Sequence, residues 1–168
     1  MRILVQRVHD ASISVDGRIV AAIGAGLLGL VGFGREDGPE FHHSPAFAGM
    51  ARKLLDLRIF PGQGDAAHKF HRSLQDFGGQ ILLAPQFTLY ADCRKGRRPS
   101  FSEACEPVWA AELFKRFVSL VDGACHDSVS SGIFGAEMEV RLRNWGPVTI
   151  WLDSARLFPD HNRQYSVH

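Results

Sequence analysis

Residues 2–8 and 11–15 alternate loosely between apolar and polar positions, and the second run meets Asp16-Gly17, a pair suited to a tight hairpin, before residues 18–23 return. This predicts two antiparallel strands. Residues 24–26 interrupt the pattern, and the nearly continuous apolar run 27–33 reads as a strand covered on both faces. Residues 34–43 read as a loop. Ser44 followed by Pro45 is an N-cap with proline at the first helical position, and Phe47, Met50, Ala51, Leu54 and Leu55 then recur at helical spacing. Residues 57–60 read as a further strand stopped by Pro61-Gly62, residues 61–78 as a polar loop, and residues 81–83 as a buried strand. Pro107 opens a second helix, with Val108, Ala111, Phe114, Val118 and Leu120 or Val121 as its expected buried face. Residues 123–135 read as irregular, and 138–142 with 148–152 as a closing hairpin. About eight strands, mainly in hairpins, with two helices between them predict an α+β fold: a curved, barrel-like, mainly antiparallel sheet with two covering helices.

With 168 residues the chain fits a single domain, expected to span 1–154, with 155–168 as a C-terminal tail. The tail from Arg156, with Pro159, Asp160 and His161, reads as loosely held. Nineteen basic against 18 acidic residues leave a net charge of +1, which excludes a generally cationic nucleic-acid coat, so any RNA contact must be local. Cys93, Cys105 and Cys125 are odd in number and show no C-x-x-C spacing, which argues against a disulfide framework and a zinc ribbon and points to a reducing cytoplasm. No stretch approaches 18 uninterrupted apolar residues, so neither a membrane span nor a signal peptide is expected. His68 and His71 lack a third partner for a metal, and no cofactor is expected.

The chemistry concentrates in residues 79–101, where an apolar strand runs into a polar corner and a basic loop. If Phe87, Leu89 and Tyr90 continue the strand past Pro85, then Gln86 and Thr88 share the opposite face, an amide and a hydroxyl two residues apart. Arg94, Lys95, Arg97 and Arg98 follow, four cations in five positions bent at Gly96. A polar pair beside a cationic loop suits an anionic ligand; spacing alone fits a solvated loop as well. No G-x-S-x-G elbow, H-E-x-x-H helix or Walker-type phosphate loop is present, and Thr88 has no base partner visible in the sequence. A positioning role therefore suits Thr88 better than nucleophilic attack, with backbone amides around 86–88 serving an oxyanion.

Taken together, Arg7, Gln-Phe-Thr-Leu-Tyr at 86–90, Arg-Lys-Gly-Arg-Arg-Pro-Ser-Phe at 94–101, Phe-Gly-Ala-Glu-Met at 134–138 and Asn-Trp-Gly-Pro-Val-Thr at 144–149 resemble the D-aminoacyl-tRNA deacylase family, in order from residue 1 to about 154. The resemblance implies a homodimer that hydrolyses the ester between a D-amino acid, or glycine mischarged on tRNA-Ala, and the 3′-terminal adenosine of tRNA. It implies Gln86, Phe87 and Thr88 as the catalytic corner, Phe134 and Met138 as adenosine contacts, and Arg94, Lys95, Arg97 and Arg98 as RNA contacts. Gly146-Pro147, supported by Arg7, would cross into the partner's site as a cis-proline pair that excludes L-amino-acid side chains. In this family the ribose 2′-OH is thought to help activate the attacking water, and Thr88 has been considered as a nucleophile.

Pro85 departs from the family pattern, which has Ser at that place; proline removes a hydroxyl and a backbone N–H. A Pro-Gln start resembles a related animal tRNA deacylase of relaxed chirality, whereas 144–149 is of the D-specific type. Rival readings are a deacylase acting on L-aminoacyl-tRNA, a non-catalytic RNA-binding module and a hydrolase of small esters.

Overall fold

The computed structural model describes residues 1–64, 69–125 and 128–159. Its elements run β1 (Arg2–Val15), β2 (Arg18–Ile23), β3 (Gly26–Gly32), α1 (Pro45–Asp56), β4 (Phe60–Pro61), β5 (Phe70–Arg72), α2 (Leu74–Phe77), β6 (Gln80–Pro85), α3 (Pro107–Cys125), β7 (Val129–Ser131), β8 (Glu139–Asp153) and α4 (Ser154–Leu157). β1 is the spine. Its first half pairs β3 and its second half β2, while β8 runs antiparallel along its other edge for nearly its whole length. β3, β6 and β7 add two parallel pairings, whose crossovers carry α1 and α3. The mixed sheet curls until it is nearly closed into a barrel.

Alternation along β3 and β6 explains the curl. Leu27, Ile81 and Leu83 face the helices, whereas Leu28, Leu82 and Ala84 face a second cluster with Val8, Ala11 and Ile13. Both strands are thus buried on both faces, as the apolar run 27–33 predicts. α1 starts as expected: Ser44 Oγ accepts the Phe47 amide at 3.1 Å, and Phe47 meets Phe117 of α3 edge to face at 5.5 Å. The buried stripe of α3 is Ala110, Leu113, Phe114, Phe117 and Val121, rotated from the expected face so that Val108 is exposed. Contact with Phe47 sets that phase, because Phe117 must point at α1.

Other expectations change. Residues 57–59 form no strand: the carbonyl of Ile59 accepts from Arg7 instead of a ladder partner, and only Phe60–Pro61 pairs, with Phe70–Arg72. The polar loop 61–78 contains that pairing and α2, whose Ser73 and Asp76 cap each other reciprocally. Residues 129–131, expected to be irregular, form the β7 edge. The predicted closing hairpin is a single strand, β8. Opposite β1, Asn144 pairs with Val8 and Thr149 with Gln6, so residues 145–148 bulge outward where only Arg7 stands across from them. α4 packs back on the core through Ser154, whose amide bonds the Met1 carbonyl.

Candidate active site

The amides of β6 alternate in direction. Gln80 and Gln86 donate to β3-side carbonyls of Ala25 and Val31, whereas Ile81 donates to Ser128 on the β7 side. The N–H that Pro85 lacks therefore falls on the β7 side, beyond Ser131 where that strand has ended, and no ladder bond is lost. Past Gln86 the chain does not continue as the predicted strand; Phe87–Tyr90 wind into a 3-10 turn. Among the described residues no strand pairs it, and the turn settles instead on the end of β3, where a Cβ at Gly32 would stand 2.6 Å from the Gln86 carbonyl oxygen. The amide and the hydroxyl still meet: Gln86 Nε2 donates to Thr88 Oγ1 in a short bond. Phe87 and Thr88 are exposed, and their backbone amides have no acceptor among the described residues.

A cavity of about 680 Å3 opens beside this corner. Pro85, Gln86 and Phe87 line it together with Phe101, Phe134 and Met138. Phe87 and Phe101 meet edge to face at 5.0 Å. The size and the mostly apolar lining with a few polar groups suit a small aromatic ligand. Cys105 also lines it, but its thiol donates to the Asp37 carbonyl at 3.1 Å, and burial, reinforced by the Asp37 charge, pushes its pKa up to about 11. It is a neutral wall group and no nucleophile.

Gly146 and Pro147 stand apart from this cavity, on the exposed bulge of β8. Their peptide bond is cis. Gly146 has φ +135°, and a Cβ there would lie 2.7 Å from Val148 Cγ2 and 3.2 Å from Arg7 Nη2. Only glycine fits. Asn144 Oδ1 accepts the Val148 amide at 3.0 Å and closes the bulge. Arg7, 7% exposed, reaches up from β1: Nε donates to the Trp145 carbonyl at 3.0 Å and Nη1 to that of Ile59, while the guanidinium lies 4.5 Å from the Trp145 ring and 5.4 Å from that of Phe70. Burial lowers its pKa, but a guanidinium starts high enough to keep its charge. Two carbonyls and two ring faces are its counterpart to lost water.

In the basic loop Arg94 is engaged locally. Its Nε and Nη2 reach Asp92 at 2.8 and 2.7 Å, and the hydrogen bonds hold the Asp92 carboxyl at about 2. Asp92 and Ser100 exchange backbone bonds at 2.8 and 2.9 Å, so Arg94 shapes the loop. Lys95, Arg97 and Arg98 are exposed and form no ion pair among the described residues. His68 lies outside the described residues, and His71 is exposed; among the described residues no cluster of His, Cys, Asp and Glu suits a metal. Among the described residues no helix is long and apolar enough to cross a membrane. The sequence reading did not single out Phe101, Cys105 or Asp37 as site residues: Phe101 entered only as the end of the 94–101 motif, Cys105 only as one of three cysteines, and Asp37 not at all.

The family model for D-Tyr-tRNA(Tyr) deacylase matches residues 4–153. The D-aminoacyl-tRNA deacylase of Desulfovibrio desulfuricans is 71% identical over 158 residues, 94% of this chain and 99% of that protein. That of Thermomicrobium roseum is 50% identical over 157 residues, 94% and 96% of the two chains. Among solved structures, the c-Myc DNA Unwinding Element Binding Protein superposes with a TM-score of 0.81 at 34% identity, covering 91% of this chain and 98% of that one. A probable eukaryotic D-amino acid tRNA deacylase shares the fold, with a TM-score of 0.75 at 22% identity over 90% of this chain and 97% of that one. One family thus accounts for nearly the whole sequence, and the chain belongs to it: the D-Tyr-tRNA(Tyr) deacylase family, hydrolases of D-aminoacyl-tRNA.

Proposed function

We propose that the cavity receives the 3′-terminal adenosine of a D-aminoacyl-tRNA, the base lying against Phe134 and Met138 and the ester reaching the Gln86–Thr88 corner. The observation that carries this is the cavity itself, which joins Pro85, Gln86 and Phe87 to Phe134 and Met138 across some fifty residues of chain. The amides of Phe87 and Thr88 are then donors for the ester carbonyl. Water adds to that carbon, its oxygen becomes an oxyanion held by the two amides, and the bond to the ribose 3′-oxygen breaks. That oxygen leaves as a hydroxyl with a proton from the attacking water, releasing the free D-amino acid and tRNA. Each such donor contributes roughly 100-fold to 1000-fold to turnover. The ester is already activated, so placement and oxyanion stabilisation suffice without a nucleophile. Thr88 receives its hydrogen bond from Gln86 and orients the corner rather than attacking.

Chiral selection falls to Gly146-Pro147, working from a partner subunit of a homodimer. The pair is exposed and far enough from its own chain's cavity not to line it, and Arg7 and Asn144 hold it rigidly, which suits a backbone obstacle presented to a neighbour. Such an obstacle excludes an L side chain sterically and passes D-amino acids and glycine, including glycine mischarged on tRNA-Ala. Lys95, Arg97 and Arg98 contact the phosphates, residues 1–154 act as one domain, and the enzyme proofreads in the cytoplasm; of the expected tail 155–168, the first residues continue α4 and Phe158 packs on the core, and residues 160–168 lie outside the described residues. Deacylation of matched D- and L-charged tRNA over an enzyme dilution series tests this reading. D-selective activity that falls as a dimer dissociates is expected. A fully active monomer would overturn the shared site, and equal rates on both enantiomers would assign relaxed chirality to the Pro85 wall.

A further inference from the structure

The β4–β5 hairpin lines no part of the cavity, yet its cations are held in fixed positions. Arg58, just before β4, donates Nε to the His71 carbonyl at 2.6 Å, and Arg72 donates Nε to the Pro61 carbonyl at 2.7 Å. Each guanidinium is thereby fastened across the hairpin at its inner nitrogen. The terminal nitrogens of both have no acceptor among the described residues. Lys69, at the start of β5, is exposed and, like the two arginines, forms no ion pair among the described residues. Asp76 is the carboxylate whose charge reaches both arginines, and its Oδ2 is taken up by the Ser73 amide at 3.1 Å. Between the cations Phe70 holds its ring 58% exposed.

These groups border the Gly146-Pro147 corner. The rings of Phe70 and Trp145 lie against the same Arg7 guanidinium, at 5.4 and 4.5 Å. The Arg72 guanidinium stands 5.1 Å from the Phe77 ring, which in turn lies 5.8 Å from Trp145. A guanidinium tethered at Nε presents its terminal nitrogens as a fork that matches a phosphate, with its rotamer freedom already spent. An exposed ring beside such cations is the combination that holds unpaired nucleotides. We propose that Arg58, Lys69 and Arg72, with Phe70, form a second tRNA-binding surface, which grips the acceptor end of the tRNA whose ester lies in the partner's cavity. This rests on reading Gly146-Pro147 as reaching a partner's site. Whatever borders the corner then borders that partner's substrate, and phosphates run on from its terminal adenosine. The 94–98 loop, joined through Phe101 to its own chain's cavity, serves the same tRNA from the other side. One tRNA is thus held by the basic loop of one protomer and the hairpin of the other.

The double variant Arg58→Gln, Arg72→Gln keeps an N–H for each carbonyl and removes the charge; Lys69→Gln alters an exposed side chain alone. With D-aminoacyl-tRNA, KM should rise about threefold for Lys69→Gln and about tenfold for the double variant, and the logarithmic salt slope should fall by about 0.7–0.9 per lost phosphate contact. The D-aminoacyl ester of adenosine, which has no phosphate to grip, should be hydrolysed at the wild-type kcat/KM. Unchanged KM and slope in both variants overturn the surface, as does an equal loss on the adenosine ester. Mixed dimers assign the subunit: Ala136→Trp fills a cavity, so a dimer with one such chain works only in the other chain's cavity. The double variant should raise KM when carried by the Ala136→Trp chain and leave it unchanged when carried by the other; the reverse pattern overturns the arrangement. A wild-type enzyme that treats D and L substrates alike defeats the reading of the corner and the surface with it, whereas D-selectivity with unchanged KM in the variants defeats the surface alone.

Discussion

Replacing Arg7 by methionine tests whether the Gly146-Pro147 corner, proposed to select for chirality, is held by a buried cation. Methionine fills the stem's volume and adapts to the space, so packing is largely kept while the charge and its donors go. Two carbonyl oxygens, of Trp145 and Ile59, then lose their partner. The buried Ile59 carbonyl costs about 1–3 kcal/mol when orphaned, the part-buried Trp145 carbonyl less because water reaches it, and the ring contacts add about 0.5–1 kcal/mol apiece. Against this stands relief from burying a guanidinium, which amounts to several kcal/mol and whose trace is the lowered Arg7 pKa. A net loss of about 2–3 kcal/mol follows. For a chain of 168 residues this lowers the melting temperature by about 5–10 °C. Thermal unfolding reads that shift, and paired assays on D- and L-charged tRNA, run well below the transition, read selectivity. D-turnover should persist and L-rejection should weaken, because residues 145–148 lose the group that stands opposite them. An unchanged melting temperature together with an unchanged D/L ratio would refute the reasoning and leave Asn144 as the sole support of the corner.

Arg97→Ala and Arg98→Ala should each weaken tRNA binding and reduce its logarithmic salt slope by about one unit per lost phosphate contact, whereas Arg94→Ala should alter the loop's protease sensitivity more than the slope. Binding titrations at several salt concentrations distinguish these. Thr88→Ala should turn over slowly but measurably, because the backbone donors stay in place; an aminoacyl adduct trapped on Thr88 would contradict that. Thiol labelling with mass-spectrometric readout at pH 8 should modify exposed Cys93 and spare Cys105, since a folded-state pKa raised to about 11 leaves about one Cys105 in a thousand as thiolate. Reactivity of Cys105 should rise only as pH climbs toward that value.

The elements legible in the sequence are those whose signals are local. Ser44-Pro45 announces α1, Asp16-Gly17 announces the β1–β2 turn, and the run 27–33 announces a strand buried on both faces. Of the candidate site residues, Gln86 and Thr88 were legible as a polar corner, whereas Phe134 and Met138 were legible only through a family pattern, since nothing in the spacing brings them to one cavity with Gln86. What stayed hidden depends on distant partners. Residues 87–90 have strand-like composition, but a strand needs a neighbour, and beyond Val31 the turn meets Gly32 and Gly34 instead. The bulge of β8 reads as a hairpin because Gly146-Pro147 is a turn signal; the antiparallel ladder with β1 continues on both sides of it. Asp37 sits in a stretch, Gly34 to Gly38, whose charges and glycines read as solvated loop, and its partners Met1 and Cys105 lie far from it along the chain.

Pro85 has a wider effect than the loss of one hydroxyl. β3, β6 and β7 form a small parallel patch inside an otherwise antiparallel sheet, and parallel strands bind their ligands in the crevice beyond their carboxyl ends. That crevice exists only while the strands splay apart. After Ser131 the chain of β7 could in principle zip onward along β6, but the next donor on that side would belong to residue 85, and proline has none. The zipper stops at Leu83, whose carbonyl takes the Gly132 amide at 2.8 Å, and the two chains diverge into Gln86-Phe87 on one lip and Phe134-Gly135 on the other. A residue that cannot donate a hydrogen bond thereby acts as a wedge, keeping open by omission the cavity between those two lips.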